Sequence, residues 1–196
     1  MDEKGYIKFQ CNWIKTEPVD NKLIEEIVLC RNKLYKLGLI GAYSNGIGFG
    51  NLSIRLTNSV FLITGTATGQ IAKLNNNHFT KVTAYNFIKN SLTCEGPVKA
   101  SSESLTHAAV YESNNFANVV IHIHNKSLWK KLLNVLPATS PEIEYGTPAM
   151  AEEVKRLFKE TDLIEKKMFV MAGHEEGIIS FGNNLEEAFK TILFYN

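Results

Sequence analysis

Val119-Val120-Ile121-His122-Ile123-His124 decides how this chain is read, because it has the form of a short buried strand with two imidazoles on one side. Successive side chains of a strand point to opposite faces, so His122 and His124 share a face. The bulky apolar neighbours mark the segment as buried on at least one side. Two buried imidazoles need polar partners. They can satisfy one another or backbone carbonyls, or they can share a metal ion, with zinc–nitrogen bonds of about 2.0–2.1 Å. The softness and geometry of a His-x-His pair ending a buried strand point to a divalent transition metal, zinc first.

A catalytic zinc usually takes three protein ligands and keeps one position open. His174, in Gly173-His174-Glu175-Glu176-Gly177 between two apolar strands, is the leading candidate for the third, since one strand end can bring a residue beside another. Glu175 and Glu176 are oxygen-donor alternatives. His78 sits in an Asn-rich loop and reads as solvated. His107 reads either as core-lining or as a partner behind the metal.

Outward from this strand, helical spacing of Leu23, Ile24, Ile27, Val28, Leu34 and Leu37 predicts a helix from about Asp20 to Leu37, with Asp20 as N-cap and Gly38 as its stop. Residues 42–51 carry Gly46, Gly48 and Gly50 and are read as a backbone loop. Leu52–Leu56 and Val60–Thr64 predict a hairpin through Thr57-Asn58-Ser59. A short helix is expected near Lys81–Lys89, then a polar stretch containing Gly and Pro, and a helix capped by Ser101 that runs to about Glu112. Ser127–Val135 looks helical; Thr147-Pro148 starts a helix; Met168–Ala172 and Gly177–Phe181 are strands; Asn184 opens a last helix. No repeat, linker or low-complexity segment interrupts the order. Strands and helices alternate irregularly, which predicts an α/β domain with helices packed on a mixed or mainly antiparallel sheet.

Composition narrows the classes of function. The chain has 196 residues, enough for one sizeable core, and a single domain over residues 1–196 is expected. A net charge of +1, with its 18 lysines spread along the chain, argues against nucleic acid or a membrane surface as partner. Cys11, Cys30 and Cys94 are too few and too scattered for a disulfide framework or a zinc ribbon, and read as thiols in a reducing compartment. Met1-Asp2-Glu3-Lys4 opens with charge, no apolar run of signal-peptide length follows, and no stretch is long enough to span a bilayer, so a cytoplasmic location is expected.

Ser101-Ser102-Glu103 precedes the histidine strand. Glu103 is either a first-turn acid favoured by the helix dipole or a base beside the metal. Gly48–Ser53, Thr64–Gly69 and Ser101–Ser102 could each offer backbone N–H groups and small hydroxyls to an anion. None of them is a P-loop, since no Gly-Lys-Ser/Thr follows. No lysine sits in a clear apolar strand context, so no Schiff-base mechanism is implied.

Taken in order, Gly50-Asn51-Leu52-Ser53, Ile63–Gly69, Ser101-Ser102-Glu103 with His107 one turn on, Val120–His124, Tyr145-Gly146-Thr147, and Gly173-His174 before Gly177-Ile178-Ile179-Ser180 resemble the class II aldolase/adducin family, over roughly Leu23 to Ile192. The resemblance implies a three-layer fold, a mainly antiparallel central sheet with helices on both faces, commonly assembled as a homotetramer with sites at subunit interfaces. It implies His122, His124 and His174 as ligands of Zn2+ or another divalent metal and Glu103 as catalytic acid/base. It implies Asn51, Thr68, Gly69, Ser101 and Ser102 as a phosphate cradle.

The activity it implies is that of a metal-dependent lyase, cleaving or forming a C–C bond in a phosphorylated keto sugar through a metal-stabilised enediolate. Epimerisation or dehydration on the same metal site is the sibling chemistry, and a non-catalytic adducin-like binding module is the alternative of another class. The Ser101–Ser102 pair favours an anionic substrate, and the presence of His-x-His together with Glu103 weighs against the non-catalytic alternative. This sequence departs from the family pattern at three places. Glu175 and Glu176 stand between His174 and Gly177, so either the loop bulges and His174 still binds or a Glu replaces it. One extra residue near Thr64–Gly69 lets Thr66 compete with Thr68. Family aldolases use a C-terminal Tyr for proton transfer at a neighbouring subunit's site, and only Tyr195 could match it here.

Overall fold

The computed structural model describes residues 7–196, so the charged opening Met1–Lys4 lies outside the described residues. The elements in chain order are β1 (Gln10–Ile14), α1 (Asn21–Lys36), β2 (Gly41–Ala42), β3 (Gly48–Phe49), β4 (Asn51–Arg55), β5 (Phe61–Thr64), β6 (Phe79–Asn86), β7 (Ser91–Glu95), α2 (Ser104–Ser113), β8 (Val119–His124), α3 (Lys126–Leu132), α4 (Pro148–Glu160), α5 (Leu163–Lys166), β9 (Met168–Val170), β10 (Gly177–Gly182) and α6 (Leu185–Tyr195). Three of the expected helix starts form as read, whereas Ser101 is not the cap of α2, whose N-cap position is Glu103 with no side-chain cap bond. The Asp20 carboxylate accepts from the Lys22 N–H ahead of α1, Thr147 accepts from Met150 with Pro148 at the first turn of α4, and Asn184 accepts from Glu187 at α6. Gly38, with φ +71°, takes the left-handed backbone that ends α1.

Eight strands form one sheet in the order β1-β7-β6-β5-β4-β8-β10-β9, and β2 and β3 pair separately as a small two-stranded ribbon. The sheet is mixed. β1 joins β7 in parallel, and the other pairs are antiparallel. Alternation along the strands assigns residues to two apolar clusters. Val119, Ile121 and Ile123 of β8 pack with Leu52, Leu62 and Ile178 against Ile24, Ile27 and Leu34 of α1, Leu128 and Leu132 of α3, and Ala188 and Ile192 of α6. Val120 joins Ile63, Val82, Ile179 and Phe181 with Leu105, Ala108 and Ala109 of α2 and Met150, Val154 and Leu157 of α4. His122 and His124, two and four residues beyond Val120, therefore continue the face that meets α2 and α4.

Four segments differ from expectation. Residues 79–86 are strand β6, not part of a helix near Lys81–Lys89: the burial alternates about Phe79, Thr80 and Val82, β-branched and aromatic residues dominate, and β5 and β7 pair with it on either side. β1 and β7 are polar on alternate positions, and β7 is paired on both sides, by β6 and by β1. Residues 42–51 are not wholly loop, because Gly41–Ala42 pairs with Gly48–Phe49.

Ile123 is wholly buried in the cluster under α1. Ile123→Ala should lower stability by about 2–5 kcal/mol, read by urea denaturation of the metal-free chain; a change near zero would mean that this side of the sheet is not packed as described.

Candidate metal centre

The end of β8 is flanked in register by Asn51 of β4, opposite His122, and by Gly177 of β10, opposite His124. His174 arrives from the turn before β10. Its N–H donates to Met171 O, and the Gly177 N–H donates to His174 O, which folds residues 171–177 tightly enough to lay the ring over the strand ends. Ligand-capable nitrogens of His122, His124 and His174 all lie within 4.8 Å of one another, and all three residues are buried. A Cβ on Gly177 would sit 2.5 Å from His174 Cδ2 and 3.2 Å from His122 Nε2, so only glycine leaves room for the cluster. Gly50 is constrained in the same way, with φ +78° and no space for a Cβ against Ile40 and the His122 carbonyl.

The hydrogen bonds aim the rings. Tyr43 Oη lies 2.8 Å from His124 Nδ1 and donates to Glu176 Oε2, also at 2.8 Å, so it is the imidazole that donates from Nδ1 and its Nε2 lone pair that faces His174 and His122. His124 and His174 approach with Nε2 atoms 3.1 Å apart. His122 Nδ1 lies 3.3 Å from the Asn51 amide. The amide orientation that turns Oδ1 to an Nδ1–H satisfies Asn51 Oδ1, which otherwise has no partner, and leaves the lone pair of His122 Nε2 facing the cluster. His122 Nε2 and Glu103 Oε1 are buried without a hydrogen-bond partner among the described residues. This donor set, three imidazoles with a carboxylate beside them, suits a divalent transition metal.

Glu103 occupies the N-cap position of α2 but makes no cap bond. Ser101 closes the turn instead, its carbonyl accepting from the Ser104 N–H and hydroxyl. The Glu103 carboxylate turns inward, with Oε2 accepting from Thr106 at 2.8 Å and Oε1 3.8 Å from His174 Nε2. Burial raises its pKa from 4.5 to about 7, against the hydrogen bond from Thr106 and the charge of Lys8. Burial lowers His122 well below the ordinary histidine value, and the neighbouring imidazoles of His124, His174 and His107 push it the same way.

All nine residues expected at the site, His122, His124, His174, Glu103, Asn51, Thr68, Gly69, Ser101 and Ser102, line one pocket. Thr66 lines it as well, and the Thr68 hydroxyl donates to Gly65 O within the loop. The loop is held from behind by Arg31 of α1, whose buried guanidinium donates to the carbonyls of Thr68, Gly69 and Ala72 at 3.2, 2.7 and 3.2 Å. In a trans peptide the N–H points opposite the carbonyl, so the N–H groups of Gly69 and Gln70 face away from Arg31.

Of the alternative ligands, Glu175 pairs with Lys126 at 2.9 Å and Glu176 with Tyr43. His107 is wholly buried, its Nδ1 2.7 Å from the Ser53 hydroxyl, and burial lowers its pKa to about 3. His78 Nδ1 accepts from the Asn75 N–H in a 3-10 turn away from the site. Tyr195 packs with the cluster under α1 and does not line the pocket. Sequence reading missed Tyr43 and Phe49, whose ring stacks on His124 at 5.4 Å; both sit in a short glycine-rich stretch with no periodic signal. Tyr145 lies against His174 at 4.5 Å.

The fold and this site define a class. The family model for the class II aldolase and adducin N-terminal domain matches residues 25–196, and the chain belongs to that family. Among solved structures, the chain is similar to L-fuculose-1-phosphate aldolase from Thermus thermophilus, at 20% identity over 90% of each chain with a TM-score of 0.65. It is also similar to YgbL from Klebsiella pneumoniae, described as a putative aldolase/epimerase/decarboxylase, at 22% identity over 88% of this chain and 84% of that one, with the same TM-score of 0.65. The L-fuculose 1-phosphate aldolase from Glaciozyma antarctica PI12 is 12% identical over 89% of this chain and 70% of that one, with a TM-score of 0.60. At these identities the likeness is one of fold. No curated protein matches the sequence. Among the described residues, no helix is long and apolar enough to cross a membrane.

Linkage gives a signature for Glu103. A carboxyl whose folded pKa lies above its unfolded value binds its proton more tightly when folded, so its contribution falls as pH rises from about 4.5 to about 7. Buried neutral His107 acts oppositely, losing stability as pH falls below 6.5 toward about 3. Comparison of Glu103→Gln with wild type isolates the first effect: in urea denaturation of metal-free protein, the variant should gain relative stability at pH 8 over pH 5. An equal difference at both pH values would contradict the burial of an ionisable Glu103.

Proposed function

We propose that this chain is a metal-dependent lyase that cleaves or forms a C–C bond in a phosphorylated keto sugar. The observation that carries the reading is the juxtaposition of the three imidazoles with Glu103, whose unpartnered Oε1 lies 3.8 Å from His174 Nε2. His122, His124 and His174 would hold a divalent ion, zinc or a similar transition metal. Such an ion, when bound, supplies Lewis-acid stabilisation of negative charge developing on substrate oxygens.

The chain's own residues account for the rest. Glu103 is buried, and in the metal-free chain burial raises its pKa to about 7; its inward Oε1 is placed beside the histidines to take a proton from substrate and return it. Thr68 and the N–H of Gly69, with the hydroxyls of Ser101 and Ser102 and the Asn51 amide, would form a cradle for the substrate phosphate, in which Arg31 fixes the loop. Phe49 and Tyr145 cover the rings of His124 and His174 and limit water around them. Membership of the aldolase family and the intact Ser101–Ser102 pair support a sugar phosphate as substrate. Assembly as a homotetramer and a cytoplasmic location complete the proposal.

The test combines metal content with product analysis. Purified protein should carry about one divalent ion per chain and split a phosphorylated ketose into two carbonyl fragments. His122→Ala should lose metal and activity together, while Glu103→Gln should keep metal and lose roughly 10²–10⁴-fold in turnover. An epimerised or dehydrated product would move the activity to sibling chemistry on the same site, and metal-free, inactive wild-type protein would make it a binding module.

A further inference from the structure

The insertion of Glu175 and Glu176 between His174 and the strand leaves Glu176 with φ +75°, a backbone conformation that a residue with a Cβ adopts only when its surroundings hold it there. Its carboxylate accepts the Tyr43 hydroxyl at 2.8 Å, and that same hydroxyl oxygen is 2.8 Å from His124 Nδ1. Glu175, beside it, turns outward to Lys126 at 2.9 Å. The strained residue is thus the one whose side chain is linked, through Tyr43, to a ring of the cluster. Tyr43 comes from the turn between β2 and β3, so two separate segments converge on a single imidazole nitrogen.

We propose that Tyr43 and Glu176 are positioning residues that act through His124, as a carboxylate–phenol–imidazole relay that fixes its Nδ1–H tautomer and its ring orientation. The direction of the chain follows from donor counting. An ionised carboxylate only accepts, so the phenol donates to Glu176, and its oxygen is left to accept from His124 Nδ1–H. His124 Nε2 then carries a lone pair directed at His122 and His174. A phenol keeps its proton near neutral pH, so Tyr43 is able to donate. Outer partners of this kind commonly set ligand basicity and are worth about 10–100-fold in metal affinity. The inference rests on the metal-centre reading above, and it assigns both glutamates: neither is a ligand, and only Glu176 serves the centre.

Two measurements on the full-length chain separate the inference from that reading. The first is zinc affinity by chelator competition. Tyr43→Phe and Glu176→Gln should each weaken binding about 10–100-fold, while Glu175→Gln should leave it unchanged. Glu176→Gly should weaken zinc binding and yet raise the melting temperature of the metal-free chain, because glycine relieves the positive φ; a merely structural role would not divide in this way. The second is the nitrogen NMR spectrum of metal-free protein labelled at histidine. It should show His124 as the Nδ1–H tautomer in wild type and a shift toward a mixture in Tyr43→Phe. Wild-type zinc binding matched by both relay variants would overturn the proposal. Wild type that binds no zinc would sink the metal-centre reading instead, and the tautomer would still decide the relay, with an Nε2–H form in wild type counting against it.

Discussion

Three imidazoles and a carboxylate are buried together at one end of the sheet, and the surrounding structure is organised to offset their unfavourable desolvation. Burial disfavours charge on the cluster, raising Glu103 and lowering His122. Hydrogen bonds from outside the cluster fix the rings rather than neutralise them: Asn51 at His122, Tyr43 at His124, Thr106 at Glu103. Each of these partners occupies the atom that points away from the centre and leaves the inward one available. Buried polar groups that only served the core would be expected to satisfy one another more fully.

Backbone geometry makes this density possible. Gly177 lies in register opposite His124, and a Cβ there would collide with the His174 ring and crowd that of His122. Gly69 is wedged against Gly41 O and Phe49 N, where a Cβ would approach within 2.5 and 2.7 Å, and Arg31 fixes the same loop from the helix side. The small ribbon of β2 and β3 is therefore the wall between the histidines and the Thr64–Gly69 loop: Tyr43, between its strands, reaches His124, Phe49 stacks on it, and its backbone presses on Gly69.

Much of this is legible in the sequence wherever a physical period is present. Alternation places His122 and His124 on one face, the 3.6-residue period and caps place α1 and α4, and the turn residues place the β4–β5 hairpin. The segment Phe79–Asn86 misleads because Thr80, Lys81, Thr83 and Asn86 dilute its apolar pattern, and only pairing on both sides makes it a strand. β7 is likewise held by pairing on both sides, with β6 and β1, and β1 by its pairing with β7. At the site, the histidine pair and Glu103 can be read from residue type and order, while the choice among His174, Glu175 and Glu176 cannot. It depends on a turn whose positive φ at Glu176 no local pattern announces. Tyr43 and Phe49 escape notice for a related reason, since aromatic residues in a glycine-rich stretch carry no signal until the chain brings them to a ring.

Central to the proposed activity is that His122, His124 and His174 together hold one transition-metal ion beside Glu103. X-ray absorption at the zinc edge of the zinc-loaded full-length protein tests it most directly. The expected result is coordination by three imidazole nitrogens at about 2.0–2.1 Å, completed by oxygen. Thiolate sulfur at about 2.3 Å, or fewer than two imidazoles around the ion, would contradict it.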